Sequence, residues 1–374
     1  MGNAADAPTL HTRLPHVLAT LYGVAIVYAS LEPFQPWLPP PPGTPFFLFD
    51  TARWIRSDTL LNVFAYVPFG FFFALLRHGS TPARRIAHSV VIGAAMSFAM
   101  ESLQMYVPPR VASSLDLVTN TIGAALGGAI ATALAHNPLA RGMLYRARER
   151  LFLPGNVGDV GVALMLLWLV AQTNPGIPLF AVTFDADASP PVAALAVQPA
   201  HDNEPAHDSA NNVVQAAGTA FQVLGVGLFA ALLMRRGRRT GTIVAALILG
   251  ALVMKAFAAM VMLKPAIWQT WVKPGTLIGI AIGALALRIV IALPRPVQVA
   301  VCAIALLSAL GAPVLAPETL AARAPIALFD WHFGQLMNYN GLTRAALLVW
   351  PVLTAGWLFA LAGLPAWGEP ADPA

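Results

Sequence analysis

Ten apolar runs of about twenty residues follow one another along this chain, separated by polar turns and loops, and runs of that length match the thickness of a bilayer. They lie near residues 15–31, 59–76, 86–107, 117–135, 157–173, 211–234, 242–263, 275–292, 297–311 and 342–363, the ninth being short. Composition argues against a soluble fold with an unusually large core. Only 10% of the 374 residues are charged and 57% are hydrophobic, whereas a soluble domain carries roughly 25% charged residues to cover its surface. The mean hydropathy is +0.68. The chain therefore reads as an all-α, polytopic integral membrane protein with about ten transmembrane helices.

Lysine and arginine then set the orientation, because cytoplasmic turns retain positive charge. With the N-terminus inside, the inner segments hold Arg13, then Arg77, Arg84 and Arg85, then Arg141, Arg146, Arg148 and Arg150, then Arg235, Arg236, Arg238 and Arg239, and lastly Arg288 and Arg295. The outer segments hold only Arg53, Arg56, Arg110, Lys264, Lys273 and Arg323. Both termini are thus expected in the cytoplasm, and a net charge of +5 reflects topology rather than nucleic-acid binding. Val27-Tyr28-Ala29 offers small residues to a signal peptidase, but in a polytopic chain the first run is expected to stay as a signal anchor. The expected organisation is a four-helix membrane domain over 1–136, a basic cytoplasmic linker over 137–156, and a second bundle of about six helices over 157–374 with an acidic outer loop at 174–210. The single cysteine, Cys302, lies in an apolar run and forms no intrachain disulfide. No metal site or cofactor is expected.

Against this background the stretch ESLQMYVPPRVASSLDLVTN, residues 101–120, is conspicuously polar. Glu101 precedes the expected outer end of the third span by six residues, a depth of about 9 Å at 1.5 Å rise per residue. Gln104 shares its face. The short turn that follows makes the third and fourth spans antiparallel neighbours, and Arg110 stands in it. Asp116 opens the fourth span with Asn120 one turn deeper, and Asp58 and Asn62 repeat that arrangement on the second. A carboxylic acid in a bilayer requires a partner or a proton. Helix-start roles for Asp58 and Asp116, with Ser114 as N-cap, are the plainer alternative. Asn62, Gln104 and Asn120 could equally hydrogen-bond across packed helices, and Gly123 and Gly127 are expected to admit close packing. Pro68 and Gly70 are expected to kink or thin the second span, leaving carbonyls for neighbours to satisfy.

Taken together, Asn62, Phe64, Pro68 and Gly70, the pair Glu101 and Gln104, Arg110 in the turn, and the run Asp116, Asn120, Gly123 and Gly127 resemble the VanZ-like family. With the first span, the resemblance covers residues 15–136. It implies an accessory role in cell-envelope or exopolysaccharide processes, or in resistance to glycopeptide antibiotics such as teicoplanin, and a place in the bacterial inner membrane. Partners expected on this basis are membrane lipids, an envelope lipid-linked glycan or biosynthetic membrane proteins. The residues themselves suggest binding at the outer leaflet through Asn62, Glu101, Gln104, Arg110, Asp116 and Asn120, with Arg110 on an anionic headgroup.

Two other classes fit less well. A membrane enzyme would divide acid and base work between Glu101 and Asp116, but no nucleophile elbow, HExxH or P-loop occurs. A transporter would use intramembrane Glu101, Lys255 and Arg344, yet the polar cluster is confined to one half of the chain. A second outer-face site is possible at Asp330, His332, Gln335, Asn338 and Asn340, before the last span. The loop HDNEPAHD, from His201 to Asp208, reads as solvated rather than metal-binding.

Overall fold

The computed structural model describes residues 12–181 and 205–364, apart from 33, 50–55, 78, 109, 176, 178–179, 238, 264–271 and 316–334. At 49, 56–59, 205–211, 312–315, 335–338 and 340 only the backbone is described. Among these residues every regular element is a helix, and there is no strand. The helices are α1 (Leu14–Leu31), α2 (Arg56–Leu75), α3 (Pro82–Gln104), α4 (Ser114–His136), α5 (Pro138–Leu151), α6 (Gly155–Gln172), α7 (Pro205–Leu233), α8 (Thr240–Met262), α9 (Pro274–Val290), α10 (Arg295–Leu315) and α11 (Gln335–Ala362). Seven are long and apolar enough to cross a membrane: α1, α3, α4, α6, α8, and α7 and α11 over Asn212–Leu233 and Gly341–Ala362. In α2, α9 and α10 the apolar stretches are shorter, at Leu60–Leu75, Pro274–Val290 and Arg295–Gly311. Each expected span coincides with a helix. The stretch read as a basic linker, 137–156, holds α5, and the end of the expected acidic loop belongs to α7.

The helix ends follow local chemistry. Thr81 caps α3 by accepting from Arg84 N, with Pro82 supplying the preset φ of a first helical residue. Asn137 caps α5, its Oδ1 accepting from Leu139 N at 3.0 Å and Ala140 N at 3.1 Å. The N-cap of α4 is Ser113, not Ser114: its hydroxyl accepts from Leu115 N at 3.2 Å.

The chain divides into two compact units, residues 1–159 and 160–374. In the first, α2 packs closely on α4 and α3 on both. A core of Ile26, Leu31, Tyr66, Phe69, Met100 and Ala124 lies among α1, α2, α3 and α4. Glycine sets the spacing. A Cβ at Gly123 would fall on the carbonyl of Val63, and one at Gly127 on that of Val67, so α2 and α4 run in the same direction, one turn matched to one turn. Pro68 leaves the Phe64 carbonyl of α2 without its helical N–H partner, and Tyr22 Oη donates to the adjacent Ala65 carbonyl at 2.8 Å. Ser89 Oγ likewise donates to Gly70 O at 2.9 Å.

The lower end of this unit is fastened by a buried ion pair. Arg148 Nη2 donates to Asp159 Oδ1 at 2.6 Å, with the two side chains 10% and 1% exposed. Arg148 Nη1 reaches Leu153 O at 2.7 Å. Asp159 also accepts from Thr12 Oγ1 at 2.5 Å and from Arg13 N at 2.7 Å, so one carboxylate joins the starts of α1 and α6 to the end of α5.

The second unit repeats the glycine device. Added Cβ atoms at Gly275, Gly279 and Gly283 of α9 would lie 2.6, 2.5 and 2.8 Å from the carbonyls of Asn212, Ala216 and Ala220 on α7. Trp350 Nε1 donates to Leu164 O at 2.9 Å, linking α11 to α6. Lys255 of α8 is fully buried, and its ammonium donates to the carbonyls of Asn174 at 2.9 Å and Ile177 at 2.5 Å. Asn174 Nδ2 donates in turn to Thr343 Oγ1 at 2.8 Å. The segment after α6 is thereby pinned to α8 and α11.

Candidate functional site

Helices α3 and α4 meet in steps of one turn. A Cβ on Gly128 would fall 2.8 Å from Ser89 Oγ, and one on Gly93 would fall on Ala124 Cβ. Asn120 Nδ2 donates to Ser97 Oγ at 2.9 Å. The next step brings Glu101 level with Asp116, and the two carboxyl groups are close enough to act on each other electrostatically. Glu101 is 4% exposed and lies in the last turn of α3. Its Oε2 accepts from Ser113 N at 2.8 Å, so the carboxyl group meets the N-terminal end of α4 from a neighbouring helix. Asp116, half-buried, sits in the first turn of the same helix.

Two further residues complete the cluster. Tyr66 of α2 is buried and hydrogen-bonds Ser97, and its hydroxyl lies within the electrostatic reach of Glu101 and Asp116. Ser97 is fully buried between Tyr66 and Asn120. The amide oxygen of Asn120 is buried without a hydrogen-bond partner among the described residues. An unmatched polar atom in such a place carries a cost of about 1–3 kcal/mol. Sequence reading missed Tyr66 and Ser97 because each sits in an apolar run. Helical spacing held the signal: Ser97 precedes Glu101 by four residues and Tyr66 follows Asn62 by four.

Arg110 and Gln104 face elsewhere. Arg110 donates through Nε to Glu32 O at 2.9 Å and through Nη2 to Ala29 O at 3.0 Å and Glu32 O at 2.5 Å. Gln104 Nε2 donates to Ser30 O at 2.9 Å. These are the last carbonyls of α1, which have no partner within their own helix, and a guanidinium at that end also meets the negative pole of the dipole. Burial lowers the Arg110 guanidinium from its ordinary pKa, while the Glu32 carboxylate acts in the opposite direction. The expected set is therefore divided: Glu101, Asp116 and Asn120 come together with Ser97 and Tyr66, whereas Gln104 and Arg110 clamp α1. Asn62 is half-buried on α2, one turn from Tyr66. The side chain of Asp58 lies outside the described residues. So do Asp330, His332, residues 201–204 of the loop read as solvated, and the side chains of His207, Asp208, Gln335, Asn338 and Asn340, whereas the backbone from Pro205 belongs to α7.

Replacing Arg110 with alanine removes three hydrogen bonds to α1, each worth about 1 kcal/mol. The expected result is earlier protease cleavage between α1 and α2 with the α3–α4 contact retained, read by limited proteolysis of the purified protein. Cleavage no faster than in wild type would show that the clamp contributes little.

Seven helices of spanning length and composition, with no strand among the described residues, define a multi-pass membrane protein. Within it, residues 11–135 match the VanZ/LLP1 family model, in line with the resemblance carried by Asn62 to Gly127, and the remainder of the chain is additional. Neither curated proteins nor solved structures give a significant match.

Proposed function

We propose that the VanZ-like unit is an accessory module of the bacterial inner membrane that holds a hydroxyl- or amine-bearing headgroup of an envelope lipid or glycan between α2, α3 and α4. The observation that carries this reading is the buried, unmatched amide oxygen of Asn120 beside two carboxyl groups and two hydroxyls. That set is rich in acceptors. It suits a ligand that donates hydrogen bonds and disfavours a phosphate, because the guanidinium expected to meet an anion is engaged by α1. The family resemblance supports an envelope setting, including exopolysaccharide processes and glycopeptide resistance.

Native mass spectrometry of the purified protein tests the proposal by comparing lipids retained by wild type, Asn120→Leu, Glu101→Gln and the surface control Arg236→Ala. Thermal unfolding of each variant separates lost binding from lost structure. A glycolipid or aminolipid held by wild type and the control, but reduced at least tenfold in the two folded site variants, is the expected result. Identical lipid complements in all four proteins would leave the cluster as helix packing alone.

A further inference from the structure

Helix α5 turns the usual amphipathic arrangement outward. At about 100° per residue, Leu139, Met143, Leu144 and Ala147 occupy one arc of roughly 140°. That arc is open: Leu139 is 76% exposed, Met143 65% and Leu144 54%. The side chain that α5 buries is instead a charged one, Arg148, held by Asp159. In water this is an unfavourable way to place a helix, since three large apolar side chains are left uncovered while an ion is desolvated. It is the expected way if lipid covers the outer face. The surroundings supply the lipid. α5 starts two residues after α4 ends at His136, with only Asn137 between them, so its first turn stands where a membrane-crossing helix leaves the bilayer.

Charge identifies which lipid. Arg141, Arg146 and Arg150 are exposed; Arg146 borders the apolar arc beside Leu139, Arg141 lies about 60° beyond Leu144, and Arg150 interrupts the arc only at the C-terminal end of the helix. Glu149 is the one acid in the helix. A basic rim around an exposed apolar stripe is the pattern of a helix lying in the membrane interface, with its stripe among the acyl chains and its cations on anionic headgroups. We infer that α5 is an interfacial anchor for the first unit, docked on the anionic phospholipid leaflet of the same membrane that α4 crosses.

Spin labelling of the full chain in lipid nanodiscs tests this. In a Cys302→Ala background, nitroxides are placed at Leu139→Cys and Met143→Cys. A label at Phe359→Cys, an 84% exposed apolar position on α11, gives the lipid reference, and one at the exposed Pro39→Cys gives the aqueous reference. Collision with oxygen against a nickel chelate reports depth. In discs containing phosphatidylglycerol, labels at 139 and 143 should match the lipid reference, and replacing Arg141, Arg146 and Arg150 together with glutamine should move them toward the aqueous one. Labels at 139 and 143 that match Pro39 in the otherwise native chain would overturn the docking. Depth that is unchanged by the triple replacement, or by pure phosphatidylcholine, would overturn the anionic recognition.

Discussion

Asp159→Ala is expected to lower the thermal midpoint of the purified protein by on the order of 10 °C. Removing one member of a buried ion pair costs about 3–5 kcal/mol, because the remaining charge keeps its desolvation penalty and loses its partner, and one kcal/mol corresponds to roughly 2–4 °C in a domain of this size. Here the stranded charge is Arg148, and Thr12 Oγ1 and Arg13 N lose their acceptor as well. Replacing the pair together, as Arg148→Met with Asp159→Leu, should recover much of the loss, since an apolar pair of similar volume has no charge to strand. The check is thermal unfolding in detergent followed by intrinsic fluorescence, with Arg236→Ala as control. A midpoint for Asp159→Ala within the scatter of that control would mean that the pair contributes nothing to stability.

Gly127→Val should also be damaging, for a steric reason. The new Cβ would coincide with the Val67 carbonyl and stand 2.7 Å from Phe71 N. Both are backbone atoms of α2 and cannot rotate away as a side chain can. The helices must separate, and overpacking of this kind costs typically 1–3 kcal/mol or more. It also breaks the contact that sets Tyr66 against α4. Gly250→Val on α8 is the matched control, because nothing lies within 4 Å of a Cβ there. The expected outcome is that the Gly127 variant accumulates poorly and melts early while the Gly250 variant behaves as wild type. Equal yields and equal midpoints would show that α2 and α4 tolerate a wider separation.

The helices were readable from sequence because lipid imposes one rule, an apolar run long enough to cross, and each expected run coincides with a helix. Gly123 and Gly127 were readable for a related reason: small residues four apart have few uses in a membrane besides close approach. The same logic applied to Gly275, Gly279 and Gly283 would have marked α9 for close approach, and the structure shows that the partner is α7. What sequence could not supply was direction around each helix axis. Glu101 and Arg110 stand close in the chain, and proximity alone assigned them to one outer-face site. In the structure Glu101 faces the start of α4 and Arg110 the end of α1, because unsatisfied N–H and C=O groups at two helix ends compete for them. Periodicity failed differently at α5. Its arginines resemble a solvated linker unless one notices that Leu139, Met143 and Leu144 share a face.

Asp159 also decides where this protein can be cut. The stretch that matches the family model ends at residue 135, yet the carboxylate that fastens its first helix lies beyond that limit, at the start of α6. During synthesis, therefore, α1 to α4 emerge before the acid that secures the start of α1, and Arg148 emerges before its counter-charge. A fragment trimmed to the family boundary would retain the polar cluster but release the beginning of α1. One carried through α6 would keep both.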